Sequence, residues 1–262
     1  MRINKITGVL RAFSGAEHPK AFTSAIVVAA GLSERFGGTL TKQMTLLCGT
    51  PVLIHTLKAY QNAECIHEII VVARPDEIEA WQKLCVKHNI TKLSKIVEGG
   101  ATRQESVMNG FEAVSERSKF VAIADGARCL TTPEQIGAVC RAAYKHGAAT
   151  AAHRSTDTVK VANRWGFIEV TADRNTVWLA QTPQVFKTNL YRAAAYTALQ
   201  RGFSATDDNS LVEEIGADVK LVECGAQNIK ITTQEDMAVA SGIITQRVRQ
   251  QKKDKQKGEP KV

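Results

Sequence analysis

An α/β fold is predicted, Rossmann-like in that helices flank a mainly parallel sheet, with an antiparallel β-arm protruding from it. Three observations point there. Residues 25–28 and 120–124 are apolar without polar alternation, as in strands buried on both faces of a parallel sheet. Between such runs come segments with helical spacing, giving a β-α-β-α order as far as residue 153. The rhythm then breaks over residues 155–181, where two alternating segments flank a turn and no helix intervenes.

The first strand runs into the small-residue turn Ala29-Ala30-Gly31. Thr50-Pro51 reads as a helix start, a capping residue followed by proline in the first turn, with Leu53, Leu57 and Tyr60 as the apolar stripe. Residues 66–73 return as a strand. Pro75-Asp76-Glu77 opens the next helix with acids at its positive end, and Ile78, Trp81, Leu84 and Cys85 share one face. Residues 95–97 form a short strand ending in Glu98-Gly99-Gly100. Thr102 and Glu105 have the spacing of a capping box for a helix carrying Val107, Met108, Phe111 and Val114. The strand at 120–124 ends in Asp125-Gly126-Ala127-Arg128, Thr132-Pro133 starts another helix, and residues 148–153 are strand-like. Residues 158–162 and 166–171 alternate around Asn163-Arg164-Trp165-Gly166 as a hairpin. Helical patterns resume at 189–199 and 209–215, with Gly216 as a stop. A strand at 219–223, a short final strand at 228–232 and a last helix from about Thr233, dissolving into a basic tail, complete the chain.

A chain of 262 residues with 44% hydrophobic content buries a sizeable core. The expected organisation is an extension over 1–22, a main domain over 23–248 with the arm at about 155–181, and a basic tail over 249–262. The net charge of +8 suits anionic substrates. Lys252, Lys253, Lys255, Lys257 and Lys261 concentrate that excess in the tail without aromatic neighbours, so no nucleic-acid partner is expected. The six cysteines, at 48, 65, 85, 129, 140 and 224, form no CxxC pair and read as reduced, buried thiols. No apolar run reaches the roughly 18 residues of a membrane span, and a cytoplasmic location is expected. The basic N-terminus has no acid before Glu17, and Arg11 interrupts its apolar stretch, so it lacks a secretory core. A short frayed extension or an organellar transit peptide is the reading.

The chemistry sits at strand ends, where parallel sheets present ligands. Two alanines and a glycine at 29–31 let successive N–H groups approach phosphate oxygens, and Arg35 and Lys42 follow with charge. The Walker pattern fails at Thr41-Lys42-Gln43, and the dinucleotide pattern fails because Ser33 and Phe36 stand where glycines are needed. Four strand ends carry candidates: Gly31 with Arg35 and Lys42, Gly100 with Arg103 and Ser106, Asp125 with Arg128, and Lys230. Gathered at one edge, they suit a polyphosphate.

Seven motifs in order, AAGLSERF with TKQ, GGATRQESV, DGAR, DTVK, DRNTVWLAQTPQVF, TDDNSLVEEIG and QNIKIT, run from about Ala25 to Gln246. In these the chain resembles the 2-C-methyl-D-erythritol 4-phosphate cytidylyltransferase family of sugar-phosphate nucleotidyltransferases. The resemblance implies an enzyme that binds CTP and 2-C-methyl-D-erythritol 4-phosphate together, with attack of the substrate phosphate on the α-phosphorus and release of pyrophosphate. It implies Arg35, Lys42 and Lys230 as the cations of the transition state. Ala29, Ala30, Gly31, Gly100, Ser106, Asp125 and Gly126 match the nucleotide-contacting positions. Asp125, Arg128, Thr158, Arg174 and Thr182 match positions that hold the sugar phosphate. Mg²⁺ bound mainly through CTP phosphates, no dedicated protein metal ligands, and a homodimer formed through the arm are also implied. Thr41, Met44, Ala101 and Ala124 depart from the family's proline, aromatic, acid and histidine. A ribitol 5-phosphate cytidylyltransferase and a non-catalytic nucleotide-binding protein of the same fold are the alternatives, and retained Arg35, Lys42 and Lys230 argue against the second.

Overall fold

The computed structural model describes residues 21–31, 36 and 41–258. Seven strands form one sheet, in the order β11-β7-β10-β6-β1-β4-β5. These are β1 (Thr23–Val28), β4 (Glu68–Ala73), β5 (Leu93–Glu98), β6 (Phe120–Asp125), β7 (Ala148–Arg154), β10 (Trp178–Lys187) and β11 (Lys220–Glu223). β1 lies between β4 and β6, parallel to both, with Val28 beside Val72 and Asp125. The helices are α1 (Val52–Asn62), α2 (Ile78–Lys87), α3 (Arg103–Glu112), α4 (Pro133–His146), α5 (Thr188–Arg201), α6 (Asp208–Glu214) and α7 (Gln234–Gly258).

The unalternating apolar runs are explained by a core on each face of the sheet. Ala25 and Val27 of β1 pack with Leu53, Leu57 and Tyr60 of α1 and with Val139 and Cys140 of α4. Ile26, between them, packs on the opposite face with Val107 and Phe111 of α3 and Tyr191 of α5. A third cluster, with Phe36, Leu47, Val52, Leu130, Ile231 and Ala240, seats α7 beside the site edge. The expected capping box forms at Thr102, which accepts from the Glu105 amide, and the helix start at Thr132-Pro133 proves to be a second one, Thr132 accepting from the Gln135 amide with Pro133 in the first turn.

Several expectations are corrected. Thr50–Pro51 is a two-residue strand, β3, paired with β2 (Leu46–Leu47), and α1 starts after it without a side-chain cap. Pro75–Glu77 is a single 3-10 turn ahead of α2. β10, a ten-residue strand, was not expected at all; it runs antiparallel between β6 and β7. Its register shifts between Ala180 and Gln184, and Pro183 falls within that shift, where the missing N–H does least harm. Residues 228–232 form no strand. The last helix does not dissolve near 249 but continues to Gly258. Of the thiols, all free, Cys48 is exposed and Cys65 half-buried rather than buried.

The arm is present as β8 (Lys160–Ala162) and β9 (Ile168–Thr171), an antiparallel pair. Asn163 shapes its turn, its side-chain oxygen accepting from the amides of Trp165 and Phe167. Trp165, Phe167, Ile168 and Val170 are exposed, more apolar surface than a solvated hairpin needs.

Candidate active site

Strands β1, β4, β5 and β6 end at one edge, around a cavity of about 750 Å³. Its walls are the turns after those strands. The Ala29 amide donates to Val72 O at 2.7 Å and the Gly99 amide to Ala73 O at 2.9 Å, so the first two loops are both hung on the end of β4. They meet closely: a Cβ on Gly99 would lie 2.3 Å from the Ala30 Cβ. Gly126 is equally constrained, since a Cβ there would lie 2.9 Å from Val28 O. Ala30, Gly31, Gly100 and Gly126 line the cavity. Ser106 lines it too, but its hydroxyl is engaged, accepting from the Gly100 amide at 3.0 Å and donating to Thr102 O at 2.9 Å. Its direct effect is to fix the Gly100 turn.

Lys42 reaches the cavity from a loop braced at both ends. The Thr41 hydroxyl donates to Glu77 Oε1 at 2.8 Å, while the Trp81 indole donates to Glu77 Oε2 at 3.1 Å. Leu53 N donates to Gln43 O at 3.1 Å, tying the other side to α1. A hydroxyl–carboxylate tether thus holds the Thr41 end of this loop to the turn before α2. Arg35 lies outside the described residues.

Asp125, at the end of β6, is the electrostatic centre. Its carboxylate stands 3.0 Å from Lys230 Nζ and 3.5 Å from both Arg103 Nε and Arg128 Nε. Burial alone would raise its pKa, but Lys230, Arg103 and Arg128 together outweigh burial and hold it below the ordinary aspartate value. Arg103 turns its other face to Asp208, Nη2 to Oδ2 at 2.8 Å. Burial pushes the Asp208 carboxyl up, against the opposing pull of Arg103 and the Tyr191 hydroxyl. Burial depresses the Arg128 guanidinium, and Asp125 offsets part of that. Three cations against two carboxylates leave an excess of positive charge, to which Lys42 adds.

The irregular segment at 228–232 is fastened by side chains instead of a ladder. Asn228, fully buried, accepts from Arg128 Nη1 at its carbonyl (2.7 Å) and from Thr131 at its side chain (2.7 Å), and donates to Thr182 O at 2.9 Å. Ile231 N donates to Ala127 O at 2.9 Å, which seats Lys230 over Asp125. Thr182 is buried behind the site, its hydroxyl accepting from the Asp125 amide at 3.1 Å. Thr158 and Arg174 are exposed on or beside the arm and do not line the cavity of their own chain.

Sequence reasoning did not select Arg74, Asp76, Gly99 or Asp208 as site residues. Arg74 and Asp76 line the cavity directly after β4, and their place after a buried strand was the available signal. Asp208 lay in the TDDNS motif, but its pairing with Arg103 joins segments 105 positions apart and leaves no local trace. Among the described residues no group of three His, Cys, Asp or Glu side chains could hold a metal ion. No helix among them is long and apolar enough to cross a membrane.

Comparison with known proteins supplies an independent line. The family model described as IspD, 2-C-methyl-D-erythritol 4-phosphate cytidylyltransferase, matches residues 23–246. The enzyme of that name from Caldanaerobacter subterraneus subsp. tengcongensis is 47% identical over 218 residues, covering 83% of this chain and 96% of that protein. The one from Pelotomaculum thermopropionicum is 41% identical, covering 86% and 94%. Among solved structures, the 4-diphosphocytidyl-2C-methyl-D-erythritol synthase of Anaerococcus prevotii superposes with a TM-score of 0.77 at 32% identity, covering 86% of this chain and 98% of that one.

Proposed function

The chain belongs to the 2-C-methyl-D-erythritol 4-phosphate cytidylyltransferase family, and from that premise we propose how its residues carry the reaction. The activity is that of a nucleotidyltransferase in non-mevalonate isoprenoid biosynthesis: CTP and 2-C-methyl-D-erythritol 4-phosphate give 4-diphosphocytidyl-2-C-methyl-D-erythritol and pyrophosphate. An oxygen of the substrate phosphate forms the new bond to the α-phosphorus as the bond to the bridging oxygen of the leaving pyrophosphate breaks. Negative charge gathers on the α-phosphoryl oxygens during that exchange. Positioned cations are what such a transition state asks of a protein.

Lys42, Lys230 and Arg35 supply them. Backbone groups of Ala30, Gly31, Gly100 and Gly126 hold the nucleotide in a slot too narrow for a purine, with Ser106 fixing the Gly100 turn and Ala29, buried behind the cavity wall, tying the first turn to Val72. Asp125 and Arg128 hold the sugar phosphate from one chain. Thr182 acts on it through the Asp125 amide. Thr158 and Arg174 reach it from a second copy, because they are exposed away from their own cavity on an arm with uncovered apolar residues. The residues present fit Mg²⁺ that is carried by the triphosphate rather than caged by protein: the cavity has two lining acids among the described residues, and three cations already surround Asp125. When bound, the ion would neutralise part of the triphosphate's charge. A cytoplasmic location remains part of the proposal.

The observation that carries this reading is the gathering of Lys42, Lys230 and Arg103 around one cavity walled by small-residue turns, with Arg128 behind it against Asp125. Pyrophosphate release, measured with CTP, UTP, ATP and GTP against methylerythritol phosphate and ribitol 5-phosphate, tests it. Release confined to CTP with methylerythritol phosphate is expected. Preference for ribitol 5-phosphate would overturn the choice of acceptor.

A further inference from the structure

Resting on the proposed transfer from CTP to methylerythritol phosphate at this site, we infer that Gln181 is a positioning residue of the reaction: buried at the root of the arm, its carboxamide fixes Asn228 and, through it, the aim of Arg128 and Lys230. The β10 ladder is broken at this residue. Leu179 and Ala180 pair with His153 and Ala152, pairing resumes only at Gln184 with Thr150, and Gln181 falls in the gap. A strand irregularity beside an active site serves to re-aim a side chain.

The side chain released there is fully employed. Gln181 is buried, and its Nε2 donates to His153 Nδ1 at 3.0 Å and to Gly225 O at 3.2 Å, while its Oε1 accepts from Asn228 Nδ2 at 3.3 Å. Both N–H groups of the carboxamide have acceptors, and turning it over would set donors against Asn228 and an acceptor against Gly225 O. Asn228 inherits the orientation. Its other N–H is on Thr182 O and its side-chain oxygen takes the Thr131 hydroxyl, so it cannot turn without breaking the set. The carbonyl of the same residue accepts from Arg128 Nη1 at 2.7 Å, and Lys230 follows two positions later. Neither His153, Gln181 nor Asn228 lines the cavity, so all three act from behind it. The far end of this chain of bonds is the arm. His153 precedes Arg154, whose guanidinium donates to Asn175 O at 2.9 Å and lies over the Trp178 ring, closing the arm's root.

Gln181→Met keeps the volume and removes the side chain's hydrogen bonds. Since a misplacement of about 1 Å costs up to about 10²-fold, kcat/KM for methylerythritol phosphate should fall by about 10- to 100-fold. KM for CTP should change little, because the turns proposed to hold the nucleotide do not touch Gln181. Tm should fall as well, so a control is needed: Thr188→Val, which removes a buried hydroxyl bond just past the other end of β10, should lower Tm and leave the kinetics alone. The Arg128 guanidinium gives a readout that needs no acceptor. Its rotation, followed by nitrogen NMR with Arg128→Lys for assignment, should quicken in Gln181→Met as the bond to Asn228 O is lost. Should that variant not fold, Gln181→Glu, which keeps the shape and the acceptor for Asn228 but not the donors to His153 and Gly225, reads the same quantities. Lowered Tm with wild-type kinetics and wild-type Arg128 rotation would make Gln181 structural only and overturn the inference. Quickened rotation in an enzyme that does not use methylerythritol phosphate would instead fault the choice of acceptor and leave the positioning standing.

Discussion

Replacing Asp125 by Asn removes one charge from the centre of the site and changes almost nothing else. At an effective dielectric of about 20, each of its three contacts, at 3.0 to 3.5 Å, corresponds to about 5 kcal/mol of Coulomb attraction. The net loss is far smaller, because the cations regain solvation through an open cavity; breaking a buried pair costs about 3–5 kcal/mol. At this chain length that is a fall in Tm of about 10 °C. The cations do not suffer equally. Arg103 keeps Asp208 and Arg128 keeps the Asn228 carbonyl, whereas Lys230 has Asp125 as its sole ionic partner among the described residues. Lys230 is therefore the group set loose, and kcat should fall by about 10²-fold as the cation proposed for the transition state loses its aim. Binding should move the other way, with pyrophosphate held more tightly by the uncompensated cations. The pH dependence has a definite sign. A carboxyl depressed by folding contributes stability above its unfolded value, about 3.9, and loses it as pH falls through the lower folded value. The Tm gap between wild type and variant should thus be full at neutral pH and close below about pH 4. Calorimetric scans from pH 3 to 8, pyrophosphate titration and steady-state kinetics measure all three. A variant with wild-type Tm and kcat would refute the account of Asp125 as the organising charge.

Lys42→Ala and Lys230→Ala should each lower kcat by about 10²–10³-fold with a smaller change in KM for CTP, read from initial rates, because ground-state phosphates keep their backbone contacts. Gly99→Ala should cost about 1–3 kcal/mol in thermal stability and raise KM for CTP, since the added methyl would collide with Ala30. Mixing Lys42→Ala with Arg174→Ala subunits should restore about a quarter of wild-type sites after random exchange, half the dimers being mixed with one intact site each. Activity that stays at the level of the separate variants, with exchange verified by mass, would place Arg174 in its own chain's site.

What was legible in the sequence was whatever local pattern dictates. The run at 25–28 had to be a central strand because Ile26 and its neighbours face separate cores. The capping box at Thr102 and the helix start at Thr132 are local chemistry, and both form. β10 was hidden because its middle is polar: Gln181, Thr182 and Gln184 are buried there with partners far along the chain, Asn228, the Asp125 amide and Asp207. No window of sequence contains those pairs. Residues 228–232 look like a strand for the converse reason. Ile229 and Ile231 have the alternation, but Asn228 fastens the segment sideways to Arg128, Thr131 and Thr182. Arg74 and Asp76 follow a buried strand, which was the available signal, but the local pattern reads Asp76 only as an acid at a helix start; the hanging of both neighbouring loops on β4 makes their loop part of the site.

An anion at the heart of the proposed phosphate site opposes the substrate, which raises the question of what Asp125 contributes. Without it, Arg103, Arg128 and Lys230 would repel one another, and Lys230, with no other ionic partner among the described residues, would be drawn away toward water before any substrate arrived. With it, they are gathered and aimed in advance, so the reorganisation is complete before the chemical step. The same carboxylate tempers the attraction for ground-state triphosphate. That is useful, since affinity shared equally by substrate and transition state lowers KM without raising kcat. The position of Lys230 fits this division. Its side chain is 37% exposed, against 14% for Arg128, so it alone of the two has room to follow the charge as it moves onto the α-phosphoryl oxygens. Arg128, pinned by Asn228 and largely enclosed by protein, is suited to a charge that stays in place, the proposed phosphate of the incoming sugar.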